Sequence, residues 1–237
     1  MKRTILPVVQ TSLVQDPFIS ALEQGDLATF SQLMSQQGPY QQAYFGGALG
    51  TPLLHLAVVD NNIEKLKAVL AAGSPVDVQN RDGKTALWFA TELNHPDMIT
   101  ALLAANAKLT LPGMDGYTVL HLAAGAGHLE ALKLLLAKAG TPDVQNIGNH
   151  PAPATLETPL HVAVEHKQDA CIRYLLKMGA DPKAMDWKGR TPYSIASDLE
   201  LKAISNLLKK YGGNTLKTSP SRGTAEITLW ELKRLWS

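Results

Sequence analysis

Leu54-His55-Leu56-Ala57, Leu87-Trp88-Phe89-Ala90, Leu120-His121-Leu122-Ala123, Leu160-His161-Val162-Ala163 and Tyr193-Ser194-Ile195-Ala196 are variants of one string. Their second residues stand at 55, 88, 121, 161 and 194, so the spacings are 33, 33, 40 and 33. A fixed period of this length marks stacked supersecondary units and sets the register for every local reading. A Gly-x-Thr-like turn precedes the strings, as in Asp82-Gly83-Lys84-Thr85, Asp115-Gly116-Tyr117-Thr118 and Lys188-Gly189-Arg190-Thr191. Thr caps the helix that follows, and Pro159 and Pro192 suit its first turn because that position needs no N–H donor.

Each unit then carries a second apolar stripe: Leu66, Val69 and Leu70; Ile99, Leu102 and Leu103; Leu132, Leu135 and Leu136; Ile172, Leu175 and Leu176; Ile204, Leu207 and Leu208. Spacings of three and four place each set on one helix face. The second helix is expected to stop at Gly73, Asn106, Gly140, Gly179 and Gly212, where Gly or Asn adopts the left-handed conformation that ends a helix. A unit of turn, short helix, longer helix and cap cannot bury its own apolar face, so it is stable only when stacked on its neighbours. The expected fold class is an all-α solenoid.

Composition agrees with a packed core: 45% of the 237 residues are hydrophobic. Twenty-two Lys plus Arg against twenty-one Asp plus Glu give a formal charge of +1, too balanced for binding driven by phosphate neutralisation, so nucleic acid is not an expected partner. Cys171 is the lone cysteine, which excludes an intramolecular disulfide and a thiolate zinc site and suits reducing conditions. Met1-Lys2-Arg3 imitates the start of a signal peptide, yet the apolar stretch before Gln10 is too short. No window approaches the roughly 18 to 20 apolar residues of a membrane-spanning helix, so a cytoplasmic chain without membrane insertion is expected.

The period, the Thr158-Pro159-Leu160-His161 string, Gly127-His128 and Gly179-Ala180-Asp181 together resemble the ankyrin repeat. The resemblance spans residues 47–213 as five units, 47–79, 80–112, 113–152 with a finger insertion, 153–185 and 186–213. It implies antiparallel helix pairs with turn fingers projecting at about a right angle. Trp88 and Ser194 depart from the family's His, Pro52 and Leu53 stand where Thr and Pro are expected, and Leu156 replaces the turn Gly. Residues 1–15 read as an N-terminal extension and 16–46 as a degenerate capping repeat with a Gly/aromatic loop. Residues 214–223 read as a linker and 224–237 as an apolar segment whose Ala225, Leu229, Leu232 and Trp236 form a helical stripe. Two readings of that segment stand open: a cap docked over the last repeat, or a contact with a partner.

A search for chemistry returns structural roles. The resemblance implies that His55, His121 and His161 hydrogen-bond backbone between repeats and that His95 and His128 fill the Gly-His position. His150 and His166 lie outside the pattern, and two separate histidines make no metal or nucleophile site. Cys171 reads as a structural thiol, and no phosphate loop, His-Glu-x-x-His string or Gly-x-Ser-x-Gly elbow is present. No catalytic set, cofactor, metal or small-molecule substrate is expected, and an enzyme is not.

The resemblance instead implies a partner protein, bound through the finger tips and the exposed start of the inter-helix loop. In this register the fingers present Arg81, Asp82 and Lys84, then Met114, Asp115 and Tyr117, then Trp187, Lys188 and Arg190. The concave pairs are Val59-Asp60, Glu92-Leu93, Gly125-Ala126, Glu165-His166 and Asp198-Leu199, four of them with one acid and none with Lys or Arg. The expectation is an acidic ridge with a shallow centre at Gly125-Ala126, beside a basic, aromatic finger row, for a partner with a basic protruding surface. His150 on the inserted finger, with Trp230 and Trp236 in the last segment, complete the candidate contacts. The expected function is a protein–protein interaction module. Two sharper versions are an immunity-type inhibitor of a cognate bacterial toxin or enzyme, and a bacterial effector that engages host proteins.

Overall fold

A computed structural model describes residues 52–113, 116–139, 152 and 155–213, with isolated positions between 20 and 32. Among them lie ten helices: α1 Leu53–Val59, α2 Ile63–Ala71, α3 Ala86–Glu92, α4 Pro96–Ala104, α5 Val119–Ala126, α6 Leu129–Ala139, α7 Pro159–Glu165, α8 Asp169–Lys177, α9 Pro192–Asp198 and α10 Lys202–Lys210. Within each repeat the short first helix packs on the second. Along the chain the first helices α1, α3, α5, α7 and α9 stack in order, and α2, α4, α6 and α8 form the layer beside them. The architecture is the all-α repeat solenoid the period requires.

Local chemistry explains the boundaries. Thr85 accepts from the Trp88 N–H, and Thr118, Thr158 and Thr191 form reciprocal capping boxes with residue N3 of their helices. Gly73, Asn106, Gly179 and Gly212 end their helices at φ of 88°, 63°, 92° and 88°, while Gly140 lies outside the described residues. The fingers are closed by one polar side chain at their base. Asn80 Oδ1 accepts from the N–H groups of Asp82 and Lys84, and Asp186 Oδ1 accepts from those of Lys188 and Arg190.

Histidines pin neighbouring repeats together. His55 Nε2 donates to the Lys84 carbonyl at 2.8 Å, His121 Nε2 to Glu157 at 2.9 Å and His161 Nε2 to Arg190 at 3.1 Å. Each acceptor belongs to the finger of the following repeat. In the latter two the other ring nitrogen, Nδ1, accepts from the N–H of Thr118 or Thr158, which fixes the tautomer. Pro52 has no N–H to offer, so His55 Nδ1 is buried without a partner, a direct consequence of that sequence departure. His128 Nδ1 takes the Thr91 carbonyl of the preceding repeat at 2.9 Å.

In the last repeat the expected stripe is in place: Ile204 and Leu208 are buried in the core and Leu207 packs against it, while Ser205 stands 33 residues after Ile172 and Lys209 33 after Leu176. Leu160, Val164, Ile172 and Leu176 are buried in the fourth repeat, whereas their counterparts Tyr193, Ser197, Ser205 and Lys209 line an open surface of the fifth. Among the described residues the terminal repeat is therefore polar on the face its predecessors bury, as the end unit of a stack requires; the segment 224–237, read as a cap or a partner contact, lies outside them.

Candidate functional site

The first helices end on the concave side, where each contributes the residue pair read from the sequence. At the middle of the row the pair is Gly125-Ala126. A Cβ on Gly125 would stand 2.8 Å from Val162 Cγ1 and 3.5 Å from His166 Cδ2. Its absence lets α5 and α7 approach closely at that point. Beside it opens a pocket of about 350 Å³. Trp88 of α3, Leu122 of α5, Val162 of α7 and the finger residue Tyr117 line it, with Glu165 and His166 at the end of α7.

Charge around this pocket is organised by Arg190. Its Nε meets Asp186 Oδ2 at 2.7 Å, Nη2 meets Glu157 Oε1 at 3.4 Å and Nη1 meets Glu165 Oε1 at 3.9 Å. Tyr117 O–H donates to the other oxygen of Glu157. Burial, reinforced by that carboxylate, pushes the Tyr117 phenol up to about 12. Asp186 and Glu157 are buried, so the guanidinium supplies the charge and hydrogen-bond compensation that makes their burial tolerable.

The two charged rows expected from the sequence are joined rather than opposed. Lys84 reaches Glu92 at 3.4 Å, and its ammonium also lies 5.5 Å from the Trp88 ring centroid and 5.7 Å from that of Phe89. Asp60 pairs with Lys65 at 2.7 Å, and Glu165 approaches Arg190. The ridge is amphipathic as well as acidic, because Val59, Leu93 and Leu199 are exposed beside Asp60, Glu92 and Asp198. Arg81 and Asp82 are exposed at the second finger, as is His166 on the concave side. Trp187 is 60% exposed at the last finger, with the Lys188 ammonium 5.0 Å from its ring centroid. Met114, Asp115, His150, Trp230 and Trp236 lie outside the described residues.

Sequence reasoning missed several members of the pocket region, Leu122 and Val162 among them. Trp88 was visible only as a departure from the repeat's His, and Glu157 drew no notice because its role depends on Tyr117 and Arg190, which are remote in the chain. Cys171 is buried, and burial pushes its thiol up. Among the described residues no group of three or more His, Cys, Asp or Glu is placed to hold a metal ion, and no helix is long and apolar enough to cross a membrane.

Comparison with known proteins bears on the repeat itself. A 73-residue stretch, 30% of this chain, is 36% identical to part of a glycerophosphocholine phosphodiesterase of Schizosaccharomyces pombe. The match spans only 6% of that protein, so the activity in its name is said of that protein alone. The sequence family described as ankyrin repeats (three copies) matches residues 18–112, 54–147 and 106–186. With the stacked helix pairs and the histidine pins, these matches show that the chain belongs to the ankyrin-repeat family, whose repeats generally mediate protein–protein interaction.

Proposed function

We propose that this chain is a non-catalytic binding module that holds a partner protein along its concave groove and finger tips. The observation that carries the reading is the pocket of about 350 Å³ opened beside Gly125, a concave recess with apolar walls and a polar lip at Glu165 and His166. The exposed Trp187 and Arg81 at the fingers add side chains of the types that most often dominate interface energy. Five repeats offer enough surface for a standard interface of roughly 800 Å² per partner. The engagement of His55, His121, His161 and His128 in bonds between repeats supports a scaffold role for imidazoles that would otherwise invite a catalytic reading. The partner presents a basic protrusion to the ridge, and the encounter takes place in the cytoplasm.

Affinity capture from the native cell, with mass spectrometry of the retained proteins, identifies the partner. Association is then timed by stopped flow with the wild type and with Glu92→Lys plus Glu165→Lys. The reversal is expected to slow association and weaken its salt dependence. An unchanged on-rate removes the ridge from recognition, and turnover of a substrate by the purified chain overturns the binding reading altogether. A toxin or enzyme silenced by the captured complex assigns the inhibitor role, whereas an active partner assigns scaffolding.

A further inference from the structure

The walls and the charge of the central pocket ask for different things. Leu122, Gly125 and Val162 present apolar surface, which by itself suits an aliphatic side chain. Three carboxylates, Glu157, Glu165 and Asp186, surround the one guanidinium of Arg190, so this cluster carries two negative charges more than positive ones. On the α3 side Lys84 is matched by Glu92 and adds no net charge. Of the three carboxylates Glu165 is the exposed one, with its side chain at 45% of full accessibility, and it stands on the pocket lip. Of this cluster Glu165 is the member that lines the pocket, so its carboxylate is the one that a bound cation meets.

A long side chain that is apolar along its stem and cationic at its end satisfies both demands. We propose that the pocket between α5 and α7 anchors an arginine side chain of the bound protein, its methylenes against Leu122, Gly125 and Val162 and its guanidinium on Glu165. This rests on the protein-binding reading and specifies which chemistry the groove selects. Arginine fits better than lysine for three reasons: its head is weakly hydrated, so desolvation costs less; it is planar and stacks on aromatic rings; and it keeps its charge on burial, where an ammonium loses its proton more readily. Tyr117 and His166 supply such rings in the pocket lining. The site already organises one guanidinium, that of Arg190, with the same set of acids.

The test uses the full-length chain, labelled with ¹⁵N, and four blocked tripeptides: acetyl-Ala-Arg-Ala-amide and its lysine, citrulline and norleucine counterparts. The arginine peptide is expected to shift the amides of Gly125, Ala126, Val162 and His166, and to bind about tenfold more tightly than citrulline, which keeps shape and loses charge. Glu165→Gln is expected to bring arginine down to the citrulline level while leaving norleucine unchanged. Ala126→Trp, a change at an exposed lining residue, is expected to abolish every response. Thermal melting checks that both variants fold. Equal binding of arginine and citrulline or norleucine, tighter binding of lysine, shifts confined to another surface, or a concentration-dependent self-association as the sole response each overturn the proposal. Retention of the captured partner by Ala126→Trp, with no response to the arginine peptide, removes the anchor and leaves the protein-binding reading standing. Failure to capture any partner while the peptide responds at the pocket does the reverse.

Discussion

Lowering the pH from 7.5 to 5.5 is expected to destabilise the solenoid through His55 and His161. Both rings are buried, and burial lowers their pKa from the ordinary 6.5, with the hydrogen bonds to the Lys84 and Arg190 carbonyls opposing the shift. Each Nε2–H is already donated, so an added proton must go to Nδ1. At His161 that atom accepts the Thr158 N–H, and protonation sets two donors against each other. At His55 it lies buried without a partner, and a charge there has no counter-ion. The unfolded chain takes up both protons near pH 6.5 while the folded chain resists. Stability is thus full above pH 6.5 and falls as the pH drops toward the folded-state values. Each residue contributes a slope that approaches at most about 1.4 kcal/mol per pH unit below pH 6.5, together up to about 2.7 kcal/mol between pH 7.5 and 5.5. For a domain of this size that is a fall in melting temperature of roughly 5 to 10 °C. Circular-dichroism melts at pH 7.5, 6.5 and 5.5 and constant ionic strength measure it, beside the double variant His55→Gln/His161→Gln. A flat melting temperature, or the same slope in the double variant, refutes the reasoning.

Three further outcomes are expected. Tyr117→Phe removes the phenolic donor to the buried Glu157 and costs about 1.5 to 3 kcal/mol in urea unfolding, the range for hydrogen bonds to charged groups. Lys167 and Glu200 are exposed at φ of 58° and 56°, the position occupied by Gly127 in the third repeat, so Lys167→Gly and Glu200→Gly each raise stability by about 0.5 to 1 kcal/mol. Removal of residues 214–237 leaves the melting temperature within about 2 °C of the intact chain, because Ser197, Ser205 and Lys209 already give the last repeat a polar outer face. A large fall instead makes the apolar segment a cap and refutes this expectation.

The helix pairs, their caps and the inter-repeat role of the histidines were legible because each recurs in phase. Recurrence fails where the chain stops needing it. In the last repeat Ile204, Leu207 and Leu208 still pack inward, while the positions that would meet a following neighbour have become Ser205 and Lys209. The candidate site was legible as a list of positions but not as an electrostatic arrangement. Lys84 and Glu92 are eight residues apart, and Arg190 and Glu157 thirty-three, in each case joined by the way a finger folds over the helix ends. Counting charges along the sequence finds a basic row and an acidic row. Folding pairs Asp60 with Lys65, Glu92 with Lys84 and Glu165 with Arg190, and opens a recess in the row at one place.

That place is set by residue size at a single register position. The concave pairs on either side of the centre, Glu92-Leu93 and Glu165-His166, project side chains over the groove, while Gly125-Ala126 between them projects almost none. The missing Cβ lets α5 and α7 approach closely at Gly125, and the short side chains of the pair leave the recess open beside that contact. The histidine pins reinforce this, since His121 ties together the third and fourth repeats that form the recess and His161 ties the fourth to the fifth. A repeat protein can thus acquire a selective pocket without altering its core, by shrinking one pair on the concave row and leaving on the next an exposed carboxylate that Arg190 approaches only at 3.9 Å. On this chain both changes fall side by side, at Gly125 and Glu165, which is why recognition is expected to centre on the third and fourth repeats.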